Sequence, residues 1–564
     1  MMTNPIESVK TQIGELLAGS YERAAASGLL PEGAALAGAV EIPRDPAMGD
    51  WASSAAMAAA KTMRMPPRKI ADALADGLEL EGSWLSSAEV AGAGFINFRL
   101  SDRWYAAVLE AVEALGEDYG RVDVGHGMKI MLEFVSANPT GPMTIGNARG
   151  GVLGDTMAEV MSRAGYDVWR EFYVNDAGHQ VEVFGRSVEA RYIQLIKGED
   201  AVEFPEEGYH GEDIRELAAE YRAEFGDGLL DLPAEERRAK LVEYGLKKNI
   251  ERMRRDLTRY RVNYDQWFLE SSLHESGYVA ETVAMLESKG LCYEKDGALW
   301  LRLTDYGAEK DEVLRRSNGF YTYFAVDMAY HRNKFIERGF EKVIDVWGAD
   351  HHGHAIRFKK ALPALGVEED RLDFILMQFV RLVRDGETVK VSKRTGKAIA
   401  LADLLDEISV DACRFFFNAR PDTHLDFDMD LAVRQDSENP VYYVQYAHAR
   451  IATLVETLAA DGVKVPAAKD IDVSLLSDPC ERELIKQIAA LPEEIRLAAR
   501  DYDPSRINKF AVELAARFHR FYNSCRIRGA EPALRDARLK LADTTRAVLK
   551  TALGVLGVTA PDKM

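Results

Sequence analysis

At 564 residues the chain exceeds what one hydrophobic core supports, and at about 150 residues per domain it divides into three or four parts. No apolar run approaches the ~20 residues that span a bilayer, and the start MMTNPIESVKTQIGELL lacks a basic segment followed by an apolar one, so a cytoplasmic protein is expected. A formal net charge of −20 repels phosphate at long range and excludes indiscriminate binding to polyanions, while four widely spaced cysteines exclude both a disulfide framework and a cysteine-based zinc site.

Residues 1–118 read as an α+β module: amphipathic helical patterns (IESVKTQIGELLAGSYERAAA, PPRKIADALADGLEL) precede the alternating run SSAEVAGAGFINFRL. KIMLEFVS, from Lys129, is a short apolar run of buried-strand type. A Gly/Pro loop follows, then NARGGVLGDTMAEVMSRAG, a helical pattern stopping at Gly165, then DVWREFYV. This is a βαβ unit. Residues 186–265 are charged and helical and read as an insertion. A second alternating region holds KVIDVWGADHHG, the helix HAIRFKKALPALG, and FILMQFVRLVRDGETVKVSK, whose Asp385-Gly386 carries hairpin-turn chemistry. Residues 119–435 therefore form an α/β domain on a parallel sheet, and 436–564 are helical throughout.

Two loops carry nucleotide chemistry. In SANPTGPMTIGNARGG, Gly141, Pro142 and Gly146 lie between a buried strand and a helix start, where free N–H groups and the helix dipole favour an anion. A glycine at 146 lets a flat base lie against bare backbone. In VKVSKRTG, Lys390, Lys393 and Arg394 crowd three positive charges onto a glycine-bearing loop, able to close over a triphosphate. The alternative for that loop is a solvated basic turn. Between Arg500 and Lys550 twelve Lys and Arg stand against six Asp and Glu, which suits a nucleic-acid backbone or equally a set of solvated helix faces.

The two loops resemble the HIGH and KMSKS signatures of class I aminoacyl-tRNA synthetases. EFVSANPTGP, FYVNDAGHQ, GYHGEDI, YDQWFLESSL, GFYTYFAVDMAYH, VIDVWGADHHGH, YYVQYAHARI and the ending LGVTAPDKM further resemble the arginyl-tRNA synthetases, along nearly the whole chain. The resemblance implies a split Rossmann-type catalytic domain, an N-terminal module meeting the tRNA elbow, and an all-α anticodon-binding domain. It implies arginine, ATP and tRNA(Arg) as partners, Mg²⁺ brought in with ATP, no resident metal and a monomer. It also implies that arginine activation needs bound tRNA.

By the same resemblance Lys390, Lys393, Arg394, Thr144 and Asn147 act on the triphosphate, with ATP also lying against Pro142, Gly146, Val391 and Ser392. Glu133 and Asp327 face the substrate guanidinium, Tyr323 packs along it, and Asn138, Glu270 and His351 hold its α-amino and carboxylate end. A guanidinium is planar and always charged, so carboxylates in fork-matching geometry suit it, and Tyr323 and Asp327 share a face if TYFAVDMAY is helical. Tyr442, Tyr443, Gln445, Tyr446 and Arg450 would meet unstacked bases, against the rival reading of tyrosines packed into a helical core. The cluster DHHGH also invites a metal, although its adjacent histidines diverge.

One departure stands out. Thr144 and Asn147 occupy the places of the signature's first and last histidines and donate only neutral hydrogen bonds, a loss of about 1–3 kcal/mol at the transition state. Either the basic loop bears that load in a working enzyme, or the chain is a binding-only paralogue. A synthetase for another amino acid is the third reading, which two carboxylates aimed at a cation disfavour for cysteine or glutamate.

Overall fold

The computed structural model describes residues 4–390, 399–419 and 423–564. Val391, Ser392, Lys393 and Arg394 lie outside the described residues. The first helix, Pro5–Ala26, starts where Asn4 accepts the Glu7 N–H and proline supplies the fixed φ of the first turn. Its Ile6, Val9, Ile13 and Leu17 recur at helical spacing and are buried. Strands β1 (Val40–Glu41), β2 (Trp51–Ser53), β3 (Leu85–Ala91) and β4 (Phe95–Leu100) pair antiparallel in the order β1-β2-β4-β3, completing the α+β module. A helix that the sequence reading left out, Asp102–Leu115, closes it.

The central sheet is wholly parallel. It holds β5 (Lys129–Phe134), β6 (Asp167–Val174) and β7 (Gln266–Leu269). A small antiparallel sheet of β8 (Cys292–Lys295), β9 (Ala298–Leu301) and β10 (Glu312–Arg315), absent from the sequence reading, comes next in the chain. Strands β11 (Lys342–Gly348) and β12 (Leu372–Met377) then return to the parallel sheet, giving the order β12-β11-β5-β6-β7. The chain thus runs outward from β5 to one edge and comes back on its other side. Between β5 and β11 the winding reverses, and the crevice at the carboxyl ends of strands at such a point is where open α/β sheets bind ligands. The helix Ile145–Arg163 packs on β5 closely enough that a Cβ on Gly154 would overlap Phe134.

The charged insertion begins earlier than expected, with the helix His179–Lys197, and continues through Glu212–Phe225 and Ala234–Arg259 around its own core of Phe184, Tyr192, Leu217 and Leu241. The helix expected over HAIRFKKALPALG is two, His352–Lys359 and Leu362–Leu365, because Pro363 cannot continue the first. Beyond β12, strand β13 (Val380–Arg384) leaves the parallel sheet, turns at Asp385 (φ 52°) and Gly386 (φ 76°) into β14 (Glu387–Thr388), and pairs on its other edge with β15 (Leu425–Asp428). Positive φ at both turn residues is the hairpin chemistry read from Asp-Gly.

From Pro440 the chain is a helical bundle built from Pro440–Ala460, Pro479–Ala489, Leu491–Asp501, Ser505–Ser524 and Pro532–Val555. The N-terminal module docks on it. Glu113 pairs with Lys540 and accepts the Ala468 N–H, the Tyr119 hydroxyl donates to the Ile488 carbonyl at 3.1 Å, and Lys486 reaches Asp50 at 2.5 Å. A continuous apolar core joins module, catalytic domain and bundle.

Candidate active site

Past the end of β5 the backbone turns sharply: Val135 and Ser136 take φ of 74° and 39°, a conformation costly for a β-branched residue. Ser136 locks the bend by donating to Glu133 Oε1 at 2.7 Å and accepting the Tyr173 N–H at 3.2 Å. The loop then runs to Thr144, the N-cap of the helix Ile145–Arg163.

Here the structure corrects the sequence reading. Thr144 Oγ accepts the Asn147 N–H at 3.2 Å and donates to Asn147 Oδ1 at 2.7 Å, while that same oxygen accepts the Thr144 N–H at 2.9 Å. The two residues form a capping box, so the Thr144 hydroxyl is used within the helix start and does not present a donor to phosphate. The outward groups are the N–H of Ile145 and Gly146 and the Asn147 amide nitrogen. Gly146 is exposed, and a methyl group there would meet only the Thr144 hydroxyl, 3.6 Å away, so the backbone is open to a flat ring.

Lys390 is exposed at the foot of the β13–β14 hairpin, where Val389 N–H still bonds the Leu382 carbonyl at 2.9 Å. On the far side of the basic segment Ala400 bridges Thr144 antiparallel and Leu401 N–H donates to the Met143 carbonyl at 2.8 Å. Arg149, fully buried one turn into the helix, donates to the carbonyls of Gln378 (2.6 Å) and Thr423 (3.1 Å), tying the helix to the turn between β12 and β13 and to the segment entering β15.

The second half of the crevice is acidic. Tyr323–Arg332 is helical, begun by the Thr322 cap, and puts the exposed Tyr323 and half-buried Asp327 on one face. Asp327 accepts from His354 Nε2 at 2.9 Å, and His354 stacks on Trp347 with centroids 5.4 Å apart. The histidine that reaches the pocket is therefore His354. His351, expected there, lies exposed on a 3₁₀ turn beside Asp350 at 3.6 Å, since neighbouring residues on that turn point in different directions.

Glu270 is buried and accepts the Tyr173 hydroxyl at 2.8 Å; with its amide oriented to suit its neighbours, Asn175 also donates to it at 3.1 Å and lies 3.1 Å from Asn138. Burial pushes the Glu270 carboxyl up to about 7, with Asp327 and Asp176 adding to the rise and the Tyr173 bond opposing it. Burial, then the charges of Glu270 and Asp327, hold the Tyr173 hydroxyl well above the ordinary tyrosine range. Glu133 sits at the floor, 6% exposed, with one oxygen on Ser136 and the other 2.5 Å from Lys334 Nζ. Both contacts leave each oxygen a second lone pair. Among the described residues no group of three His, Cys, Asp or Glu is poised to hold a metal.

Comparison with known proteins follows the same plan. Residues 110–436 match the model of the class I (R) tRNA synthetase catalytic domain, 9–100 the arginyl-tRNA synthetase N-terminal domain, and 444–564 the DALR anticodon binding domain. The arginine–tRNA ligase of Acetivibrio thermocellus is 52% identical over 564 residues, covering 100% of both chains. The chain belongs to the arginyl-tRNA synthetase family. The arginine–tRNA ligase of Ruminiclostridium cellulolyticum is 49% identical over the same full length. The structure of the Thermus thermophilus arginyl-tRNA synthetase, 21% identical, covers 99% of this chain and 100% of its own at a TM-score of 0.74, a likeness of fold.

In this arginyl-tRNA synthetase the residues expected to meet tRNA lie at the start of the helical bundle. Tyr442 and Tyr446 stack (centroids 6.2 Å, 8° between planes), Tyr446 lies 6.0 Å from His519, and Arg450 lies over Tyr522 at 4.2 Å. Tyr442, Tyr443, Tyr446, Arg450, His519 and Asn523 line a cavity of about 410 Å³. Tyr442 and Tyr446 face this cavity, whereas Tyr443 also packs against the core. Gln445 departs from expectation: it is buried, and its amide nitrogen donates to Asp411 Oδ2 at 2.8 Å and the Thr559 carbonyl at 2.9 Å, which ties the helix to the chain end. The basic stretch is also less bare than its composition, because Arg517, Arg538, Lys540 and Lys550 pair with Glu483, Glu481, Glu113 and Glu117 from outside it.

Proposed function

We propose that the chain activates L-arginine with ATP and passes it to the 3′ end of tRNA(Arg), with Asp327 and Glu133 gripping the guanidinium, Tyr323 lying along it, and Glu270 and Asn138 receiving the α-amino and carboxylate end. The observation that carries this reading is that Glu270, Asp327 and Glu133 gather near the Tyr173 hydroxyl, and that Ser136, bonded to Glu133, opens the loop that leads to the Thr144-capped helix. A helix N-terminus that favours an anion, in the same fold as a cluster of carboxylates that favours a cation, suits a substrate that is acid at one end and guanidino at the other, brought against a triphosphate.

An oxygen of the arginine carboxylate attacks the α-phosphorus in line; the new O–P bond forms as the bond to pyrophosphate breaks. A ribose hydroxyl of the tRNA end then attacks the adenylate carbonyl and AMP leaves. Neither step needs a side-chain nucleophile, so catalysis is positioning and charge stabilisation. Ile145 and Gly146 N–H and the Asn147 amide nitrogen hold phosphate oxygen, Pro142 and Gly146 flank the base, and Lys390, Lys393 and Arg394, with the backbone of Val391 and Ser392, neutralise the departing charge. Thr144 serves by fixing the helix start. Mg²⁺ accompanies ATP, bound through phosphate oxygens and water as that hard cation prefers.

The N-terminal module (1–118) takes the tRNA elbow. The bundle (436–564) takes the anticodon stem and loop through Tyr442, Tyr446 and Arg450. The catalytic domain is 119–435, and the protein works as a cytoplasmic monomer. ATP–pyrophosphate exchange with arginine in the presence of tRNA tests the reading. Exchange that depends on both is expected; silence with every arginine isoacceptor would favour the binding-only alternative.

A further inference from the structure

Lys334 has no solvent exposure, an unusual place for an ammonium. It sits on the π-helical turn Asn333–Glu337, which continues the helix Tyr323–Arg332 and widens its path. Such turns give up hydrogen-bond geometry and mark functional positions. Asp327, His331 and Lys334 follow one another at spacings of four and three and run along one side of this element beneath the pocket. Lys334 Nζ contacts Glu133 Oε2 at 2.5 Å and Asp345 Oδ1 at 3.1 Å; His331 meets the other Asp345 oxygen at 3.0 Å and the Asp327 carbonyl at 2.9 Å.

Stability alone does not account for these charges, since apolar side chains of similar volume hold a core as well or better than buried ion pairs. Their effect falls on Glu133. Without a cation beside it, a carboxyl this buried would take up a proton and turn from acceptor to donor. Burial pushes the Glu133 carboxyl upward and Asp345 adds to the rise, while Lys334 on Oε2 and Ser136 on Oε1 oppose it and fix the orientation of the group.

We propose that Lys334 is a positioning residue for the amino-acid substrate: it keeps Glu133 anionic and aimed, so that the guanidinium finds a charged acceptor across from Asp327. This rests on the reading that Glu133 and Asp327 frame the guanidinium, and the test separates the two. In tRNA-dependent pyrophosphate exchange, Glu133→Gln is expected to raise the arginine KM about ten- to a hundredfold, the scale of a lost charge-assisted bond. Lys334→Met should raise it to a similar extent, leaving the ATP KM unchanged and kcat within about threefold, because the affected contact is remote from the reacting carboxylate. The double variant should be no worse than Glu133→Gln alone, as expected of two residues acting through one contact.

An unchanged KM in Glu133→Gln would overturn the pocket reading itself. A raised KM there, with a folded Lys334→Met at the wild-type KM or a double variant whose losses multiply, would overturn only the role of Lys334. If Lys334→Met does not fold, Asp345→Asn decides: Lys334 then has Glu133 as its remaining carboxylate partner, and the arginine KM should stay within about threefold of wild type. A tenfold rise would show a general structural network instead.

Discussion

Lowering the pH from 8 to 6 should weaken arginine binding by about tenfold through Glu270. Burial pushes this carboxyl up to about 7. At pH 8 about nine in ten copies are ionised and at pH 6 about one in ten, so a site that needs the anion to receive an α-ammonium loses close to one order of magnitude in apparent affinity. The sign for the empty fold is opposite. A raised carboxyl pKa means that the folded protein holds the proton more tightly than the unfolded chain, so stability falls as pH rises from about 4.5 through 7, by up to about 3 kcal/mol. The arriving ammonium offsets that cost. Titration calorimetry with arginine in buffers of different ionisation enthalpy, tRNA present throughout, should therefore register proton release near pH 6.5. Glu270→Gln should bind more weakly at pH 8 with a flat profile. A flat profile in the wild type, or an unchanged slope in the variant, would refute the assignment of Glu270 to the α-amino group.

Asp327→Asn keeps the volume and a bond to His354 but removes the charge, and kcat/KM for arginine should fall by about ten- to a hundredfold in pyrophosphate exchange; an equal fall in the ATP KM dependence would point to a misfolded pocket instead. Thr144→Ala should lose about 1 kcal/mol of stability in a denaturant titration, with Thr144→Ser restoring it; a serine variant as unstable as alanine would contradict the capping role. Tyr446→Ala should raise the tRNA KM by roughly the 1–3 kcal/mol of one stacked base, measured in aminoacylation at saturating arginine and ATP. Lys393→Ala should depress adenylate formation far more than arginine binding, and equal losses in both would contradict its place at the phosphates.

Strands β5, β6, β11 and β12 were legible because sheets covered on both faces leave continuous apolar runs such as KIMLEF and KVIDVWG, whereas the four-residue edge strand β7 was not read. Strands β8 to β10 were missed although Asp296-Gly297, with φ of 53° and 72°, joins β8 to β9 with the same hairpin chemistry as Asp385-Gly386; the four-residue strands flanking it are too short for their alternation to stand out. Of the site, Tyr323 and Asp327 were named by the family resemblance, and helical spacing accounts only for their sharing a face. The Thr144 hydroxyl was misread because a threonine and an asparagine three apart at a helix start fit both a phosphate contact and a capping box, and only geometry tells which way the hydroxyl points. His354 was overlooked beside His351, its signal being its place two residues inside a helix rather than on the turn before it. Tyr173 was quoted within a strand but not singled out. Lys334 gave the least warning, because a lysine is ordinarily assigned to the surface.

The docking of Asp50, Glu113 and Tyr119 onto Lys486, Lys540 and the Ile488 carbonyl has a consequence for anyone recombining this chain with a relative. Grafting a foreign helical bundle after residue 440 would leave an unmatched carboxylate on the helix Asp102–Leu115 and a stranded tyrosine hydroxyl. A viable chimaera has to carry both ends of the polypeptide from the same parent.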